Sequence, residues 1–305
     1  MLQSSNEWGK LKQVVVGSAD FANWPSTDPV FARESEKTTW KATPVPSGPV
    51  PQQLIDETNE DLEKLVDALK KENVEVLRPD TMNFQELGGM YNYCPRDRLI
   101  VAGSELVDCS MMYPCRNMEI DALPMVTSQA SKIHRMPKDQ GMTLDAANVC
   151  RLGNDWLYLL SASGNMAAYE WLCEQFPDQN IEAVNFYAGV HIDSTIVPIR
   201  EGLALINGTR VTPATLPRAL RDWQCVYIDD VVAQDFYQYP YASRWIALNM
   251  LMVNPNLAVV DKHQKELIKI LNSLKVDVIM LELRHSRTLG GGFHCVTLDL
   301  IREQQ

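Results

Sequence analysis

The sequence predicts an α/β chain built as a closed, pseudo-symmetric ring of repeated strand–strand–helix–strand modules. Three observations carry that expectation: an internal repeat of about fifty residues, hairpin turn signals at matching places in each repeat, and a C-terminal strand placed to complete the first repeat. The clearest repeat opens with NVCRLGNDWLYLL (Asn148 to Leu160), a hairpin around Gly153-Asn154, followed by the helix GNMAAYEWLCEQF and the strand IEAVNFY. The same order returns in HIDSTIVPIREGLALIN with its turn at Glu201-Gly202, the helix TPATLPRALRDW and the strand QCVYID. It returns again in WIALNMLMVNPNLAVVD with a turn at Asn254-Pro255-Asn256, the helix HQKELIKILNSL and the strand DVIML.

The N-terminal half is less regular. It offers a strand at Leu11 to Gly17, then a long helix whose Leu54, Ile55, Leu62, Leu65, Val66 and Leu69 share one face, then the strand VEVLRP. RLIVAGSELVD makes a further hairpin around Gly103-Ser104, and the final CVTLDLI is placed to pair with Leu11 to Gly17. Four or five such units suit a ring with a site at its axis. The stretch Ala22 to Pro51, rich in Pro, Ser and Thr and without periodicity, reads as a long loop, either a lid or a solvated excursion. Composition does not break anywhere along 1–305, so a single domain is expected.

With 46% hydrophobic and 22% charged residues the chain can bury a large core. A formal charge of −11 argues against nucleic-acid or anionic-membrane partners, which need a basic face, and leaves cationic small molecules compatible. No run reaches the length of a membrane span, and the opening MLQSSNEWGKLKQVVVG lacks the features of a signal peptide. Seven cysteines, an odd number without CxxC spacing, signal neither a disulfide framework nor a zinc ribbon. A reducing, cytoplasmic setting is expected.

LGGGFHC, Leu289 to Cys295, places three glycines just before a cysteine at a strand start. Glycines let backbone approach a ligand, so a nucleophile there would be sharply exposed. Glycine runs are also turn material and cysteine a small core residue, so both readings stay open. His191-Ile192-Asp193 opens another module's first strand, where alternation sends both polar side chains to one face. The pair suits a general acid with a charge partner, a buried hydrogen-bonded couple, or a metal pair. The metal reading is the weakest, because His134, His263, His285 and His294 show no ligand spacing. Asp97 in CPRD and Asn148 in LDAAN also precede strands in separate modules, where a polar residue is equally an ordinary turn former.

Taken together, NEWGKLKQVVVG, MYNYCPRDRLIVAG, LDAANV, HIDSTIV, SRWIALNMLMVN and LGGGFHCVTLDL resemble the amidinotransferase branch of the guanidino-group-modifying superfamily. The likeness spans nearly the whole chain. It implies a fivefold pseudo-symmetric ring of ββαβ modules, the pentein-type α/β propeller. It also implies Cys295 as nucleophile, His191 as acid/base, Asp97 and Asp193 as guanidinium-binding carboxylates, and Arg210 and Ser243, by register alone, as α-carboxylate contacts. The partners implied are an arginine-like guanidino substrate and an amine acceptor, with no metal or organic cofactor, and a homodimer stays open. The family's catalytic aspartate falls on Asn148, a departure from the pattern. Tyr187-Ala188-Gly189-Val190 and Pro114-Cys115-Arg116 depart as well. Transfer is the first reading. A hydrolase is the second, because an Asn148 amide could donate to a ureido oxygen where an ionised aspartate could not. A silent arginine-binding protein is the third.

Overall fold

The repeats become five three-stranded sheets with one connectivity, in which the first two strands run antiparallel and the third returns parallel to the second. This computed structural model describes residues 1–37, 46–187, 189, 191–233 and 241–303. Module one is assembled from both ends of the chain: Thr297–Arg302 pairs with Leu11–Val16, which pairs with Glu75–Leu77 after the helix Gln52–Lys71. All six apolar residues assigned to one face of that helix are buried. Module two runs Leu99–Ala102, Glu105–Asp108, Lys132–Arg135. Its helical link is broken into the 3-10 stretch Pro114–Ala122 and the short helix Pro124–Thr127. Module three comprises Val149–Leu152, Asp155–Leu159, the helix Met166–Gln175 and Asn180–Val184. Module five comprises Leu251–Asn254, Leu257–Asp261, the helix Lys265–Ser273 and Asp277–Leu281. The hairpin turns expected at Gly103 and Gly153 carry φ of +62° and +83°, a region where a Cβ is unwelcome.

Module four departs from expectation. Its strands, Ile196–Arg200, Leu203–Asn207 and Gln224–Ile228, form as read, but TPATLPRALRDW yields only the 3-10 turn Arg218–Leu220. Pro217 lacks a donor and pushes Leu216 away from helical backbone, and Pro213 does the same at Thr212. The Ala22–Pro51 stretch is also more ordered than a loop. Asn23–Trp24 pairs with Gly48–Pro49, and Pro29–Lys37 is a helix, capped by Asp28, whose carboxylate accepts the N–H groups of Val30 (2.8 Å) and Phe31 (3.1 Å). The rest of the expected lid, 38–45, lies outside the described residues, as do Ala188 and Val190 of the loop before His191.

Sequence-distant elements touch at each seam. Thr297–Arg302 lies against Leu99–Ala102, the turn before Leu99 against the turn before Val149, and Leu11–Val16 against Leu251–Asn254. Arg200 of module four donates to the carbonyls of Pro255 and Leu274 in module five. Where modules one, two and three meet, a buried ion network replaces apolar packing. Glu7 accepts from Arg151 Nε (2.8 Å) and Arg96 (3.3 Å), and Asp299 accepts from Arg151 (2.6 Å), Arg302 (2.9 Å) and Arg96. Removing one member strands the others' charges in a dry interior, a change that costs about 3–5 kcal/mol. Among the described residues no helix is long and apolar enough to cross a membrane. All seven cysteines are free.

Candidate active site

The lead-ins to the module strands converge on a cavity of about 460 Å³. Cys295, His191, Asp97, Asp193, Arg210 and Ser243, six of the seven residues singled out in the sequence, line it. The seventh, Asn148, does not. Its side chain is sealed behind the wall, donating to Ser163 Oγ (2.8 Å) and accepting the backbone N–H of His191 (3.0 Å). The carboxylate that meets the imidazole is Asp145, three residues earlier, with Oδ2 3.1 Å from His191 Nε2 and Oδ1 held by the N–H of Met112 (2.7 Å). Asp145 and Asn148 bracket one turn of 3-10 helix, where residues three apart eclipse, so both reach His191, one at the ring and one at the backbone. The negative charge that the motif lacked at Asn148 is supplied by its first polar residue.

His191 and Asp193 do not share a strand face as expected. They sit in turns before Ile196, and His191 adopts φ +59°, uncommon for a residue with a Cβ. Its ring lies between Asp145 and Asp97, with Nδ1 3.7 Å from Asp97 Oδ1. Burial opposes a charge on the ring, but Asp97 and Asp145 outweigh it and hold the imidazole protonated well above its ordinary range. Asp97 Oδ2 accepts from Arg116 (3.0 Å), and Arg116 is held in turn by both oxygens of Glu119. Asp97 Oδ1, buried and beside the cavity, has no hydrogen-bond partner among the described residues. Such an oxygen is costly unless something arrives to satisfy it.

Cys295 is buried, with Sγ 3.3 Å from Asp193 Oδ2. The hydrogen bond with Cys94, then burial and the Asp193 charge, push its thiol well above the ordinary value, while contact with His191 acts the other way. Asp193 is held by His294 Nδ1 (2.9 Å). Burial alone would raise its pKa, yet His294 and His191 bring it down to about 2. The glycine run matters as space. A Cβ on Gly291 would stand 2.4 Å from Cys94 Sγ, and one on Gly292 2.7 Å from Asn249 Cβ. Gly291→Ala is expected to cost about 1–3 kcal/mol by overpacking, read as a fall in thermal midpoint. An unchanged midpoint would mean the turn is loose.

Arg210 and Ser243 stand together on the cavity wall, Nη2 to Oγ 3.4 Å. Arg210 also donates to Thr195 Oγ1 (2.8 Å) and Ser194 Oγ (3.2 Å), and its guanidinium stacks 4.2 Å from the Tyr187 ring centre. These partners are hydroxyls and a ring face. The helix Pro29–Lys37 closes another side: Phe31 packs on Tyr113 and Tyr241, whose hydroxyls bond each other at 2.8 Å, and both tyrosines line the cavity. Asp97, His191 and Cys295 offer donor atoms within 4.8 Å of one another, close enough to be weighed as a metal site. A ligating imidazole must be neutral, whereas the carboxylates here keep His191 charged. The sequence reading missed Asp145, Arg116, Cys94, Asn249 and His294. All five stand inside segments quoted above, and only for Asp145, a second polar residue in LDAANV three places before Asn148, does the local pattern offer a signal.

A thiol, an imidazolium and three carboxylates gathered on a cavity at the lead-ins of five repeated sheets place this chain among the enzymes that modify guanidino groups. Inosamine-phosphate amidinotransferase 1 of Streptomyces glaucescens is 38% identical to it over 97% of this chain and 95% of that protein. L-arginine:L-lysine amidinotransferase of Pseudomonas savastanoi pv. phaseolicola is 26% identical over 98% and 94%. The solved inosamine-phosphate amidinotransferase of Streptomyces griseus superposes with a TM-score of 0.91 at 34% identity, covering 100% of this chain and 98% of that one. No protein-family model matches. The chain belongs to the amidinotransferase family and is an enzyme that transfers amidino groups.

Asp145→Asn is expected to lower kcat about 10²-fold or more, the range of general acid–base assistance. Loss of the charge lowers the His191 pKa, so the alkaline limb of the pH profile moves to lower pH. A kcat within about tenfold of wild type, set against that range, would remove Asp145 from the proton-transfer apparatus.

Proposed function

We propose that the chain moves an amidino group from an arginine-like donor to an amine through a covalent amidino-Cys295. The observation that carries this reading is the unpartnered Asp97 Oδ1, beside His191 and close to Cys295 Sγ, in a cavity that also presents Asp193. A planar guanidinium laid between Asp97 and Asp193 satisfies that oxygen through charge-assisted hydrogen bonds, and its positive charge favours the Cys295 thiolate, the thiol proton leaving to solvent because His191 already carries one. The thiolate attacks the guanidinium carbon. His191 then gives its proton to the departing nitrogen as the C–N bond breaks, leaving the donor amine and an S-amidino cation. The acceptor amine enters, His191 takes its proton, the new C–N bond forms and the Cys295 thiolate departs. Arg210, with Ser243 beside it, meets the donor's α-carboxylate.

Hydrolysis rested on an Asn148 amide facing the substrate, and that amide is spent on Ser163 and His191. The module seams support a closed fivefold pentein-type ring acting as one domain. Seven free cysteines suit the cytoplasm. The acceptor is an amine, as the names of the relatives imply for lysine and for an inosamine phosphate. The test incubates arginine with and without candidate amines. Ornithine that forms only with an amine supports transfer, and ammonia formed without one overturns it.

A further inference from the structure

Two buried asparagines occupy equivalent places in the repeat. Asn148 ends the 3-10 turn Ala146–Asn148 ahead of Val149–Leu152, and Asn249 follows the 3-10 turn Arg244–Leu248 ahead of Leu251–Asn254. Their exposures are 0% and 1%, and neither lines the cavity. Each directs its side-chain carbonyl across a seam, to the lead-in of the next module. Asn148 Oδ1 accepts the N–H of His191 (3.0 Å), while Asn249 Oδ1 accepts the consecutive N–H groups of His294 and Cys295 (3.0 Å each).

The two peptides held are those that need holding. At φ +59°, His191 sits in a conformation that costs an L-residue roughly 1–2 kcal/mol. Its peptide groups are fixed from both sides, the N–H by Asn148 and the C=O by the Tyr187 hydroxyl. Cys295 follows three glycines, which supply close approach but little stiffness. The glycines that make room for Cys94 and Asn249 give up rigidity that the Asn249 carbonyl restores, and a Cβ on Gly292 would fall 2.8 Å from that oxygen. An apolar side chain would fill either seam without the desolvation of an amide, so the two side-chain carbonyls are explained by the backbone groups they bind; the amide nitrogen of Asn148 donates to Ser163, and that of Asn249 has no hydrogen-bond partner among the described residues.

We propose that Asn148 and Asn249 are positioning residues of the transfer reaction, one fixing the backbone of His191 and the other that of Cys295. The acid/base and the nucleophile are then set independently, from separate seams, which predicts that the two clamps fail in different steps. This rests on the roles proposed above for Cys295 and His191.

The experiment uses the full chain with Asn148→Ala and Asn249→Ala, each checked by circular dichroism and thermal melting. Asn148→Ala should lower kcat about 10²-fold, the cost of misplacing a reacting group by an ångström. It should leave the donor KM little changed and shift the alkaline limb of the pH profile to lower pH. Asn148→Asp, which keeps an acceptor oxygen, should recover most of kcat. Asn249→Ala should instead slow Cys295 alkylation by iodoacetamide and amidino-adduct formation while leaving the alkaline limb in place. Where an alanine variant fails to fold, Asn148→Leu or Asn249→Leu fills the space without an acceptor and carries the same expectations. The proposal is overturned if both variants melt earlier but keep wild-type kcat per adduct-forming site and an unchanged pH profile, the behaviour of packing residues. A wild type that forms no adduct on Cys295 would bring down the underlying mechanism instead, so the two failures are distinguishable.

Discussion

Cys295→Ala is expected to lower turnover by at least about 10⁴-fold, the scale on which a covalent nucleophile contributes, and to leave the fold in place. No neighbouring thiol substitutes: Cys94 lies beside Cys295, but burial holds its proton on and it does not line the cavity. The stability change should stay within about 1–2 kcal/mol, as is usual when one buried atom is removed from a tight site. Intact-mass analysis during turnover should show an amidino adduct on the wild type and none on the variant. The environment also sets a pH signature. With the thiol raised by Cys94, burial and Asp193, thiolate appears in the free enzyme only as pH climbs past the ordinary cysteine value of about 8.5. Iodoacetamide should therefore label Cys295 more slowly at neutral pH than it labels free cysteine. Normal turnover by Cys295→Ala would end the covalent mechanism.

That the architecture was legible while part of the site was not has a physical reason. Strand alternation and turn residues are local, so the hairpins at Gly103, Gly153, Gly202 and Asn254-Pro255-Asn256 stood out, and the pairing of Thr297–Arg302 with Leu11–Val16 followed from the repeat. The module-four helix does not form because Pro213 and Pro217 override the apolar periodicity of TPATLPRALRDW. Site residues sit in the short turns before the strands, where neither period applies, and there only the family pattern located Arg210 and Ser243. It failed at LDAANV, since two polar residues one 3-10 turn apart face the same histidine and a sequence does not say which one meets the ring. His294 and Asn249 act through contacts 101 and 46 residues distant, which no local pattern encodes.

His191→Asn should slow formation and resolution of the adduct alike if, as proposed, one imidazole serves as acid toward the leaving amine and as base toward the incoming one. The asparagine keeps the backbone N–H bonded to Asn148, so the turn survives and the loss is chemical. General acid–base help is typically worth about 10²- to 10⁴-fold, and both half-reactions should fall within that range. The wild-type pH profile fixes the sign. Asp97 and Asp145 raise the imidazole's pKa, so the proton needed by the leaving amine is present below that raised value and lost as pH climbs through it. The alkaline limb of kcat/KM, which reports the free enzyme, should therefore lie above the ordinary imidazole value of about 6.5, and it should be missing from His191→Asn. Rapid-quench measurement of adduct formation with arginine, and of its decay on adding amine, separates the two steps. A loss below about tenfold in both steps would assign the proton transfer elsewhere. A loss confined to one step would split the acid and base roles between two groups.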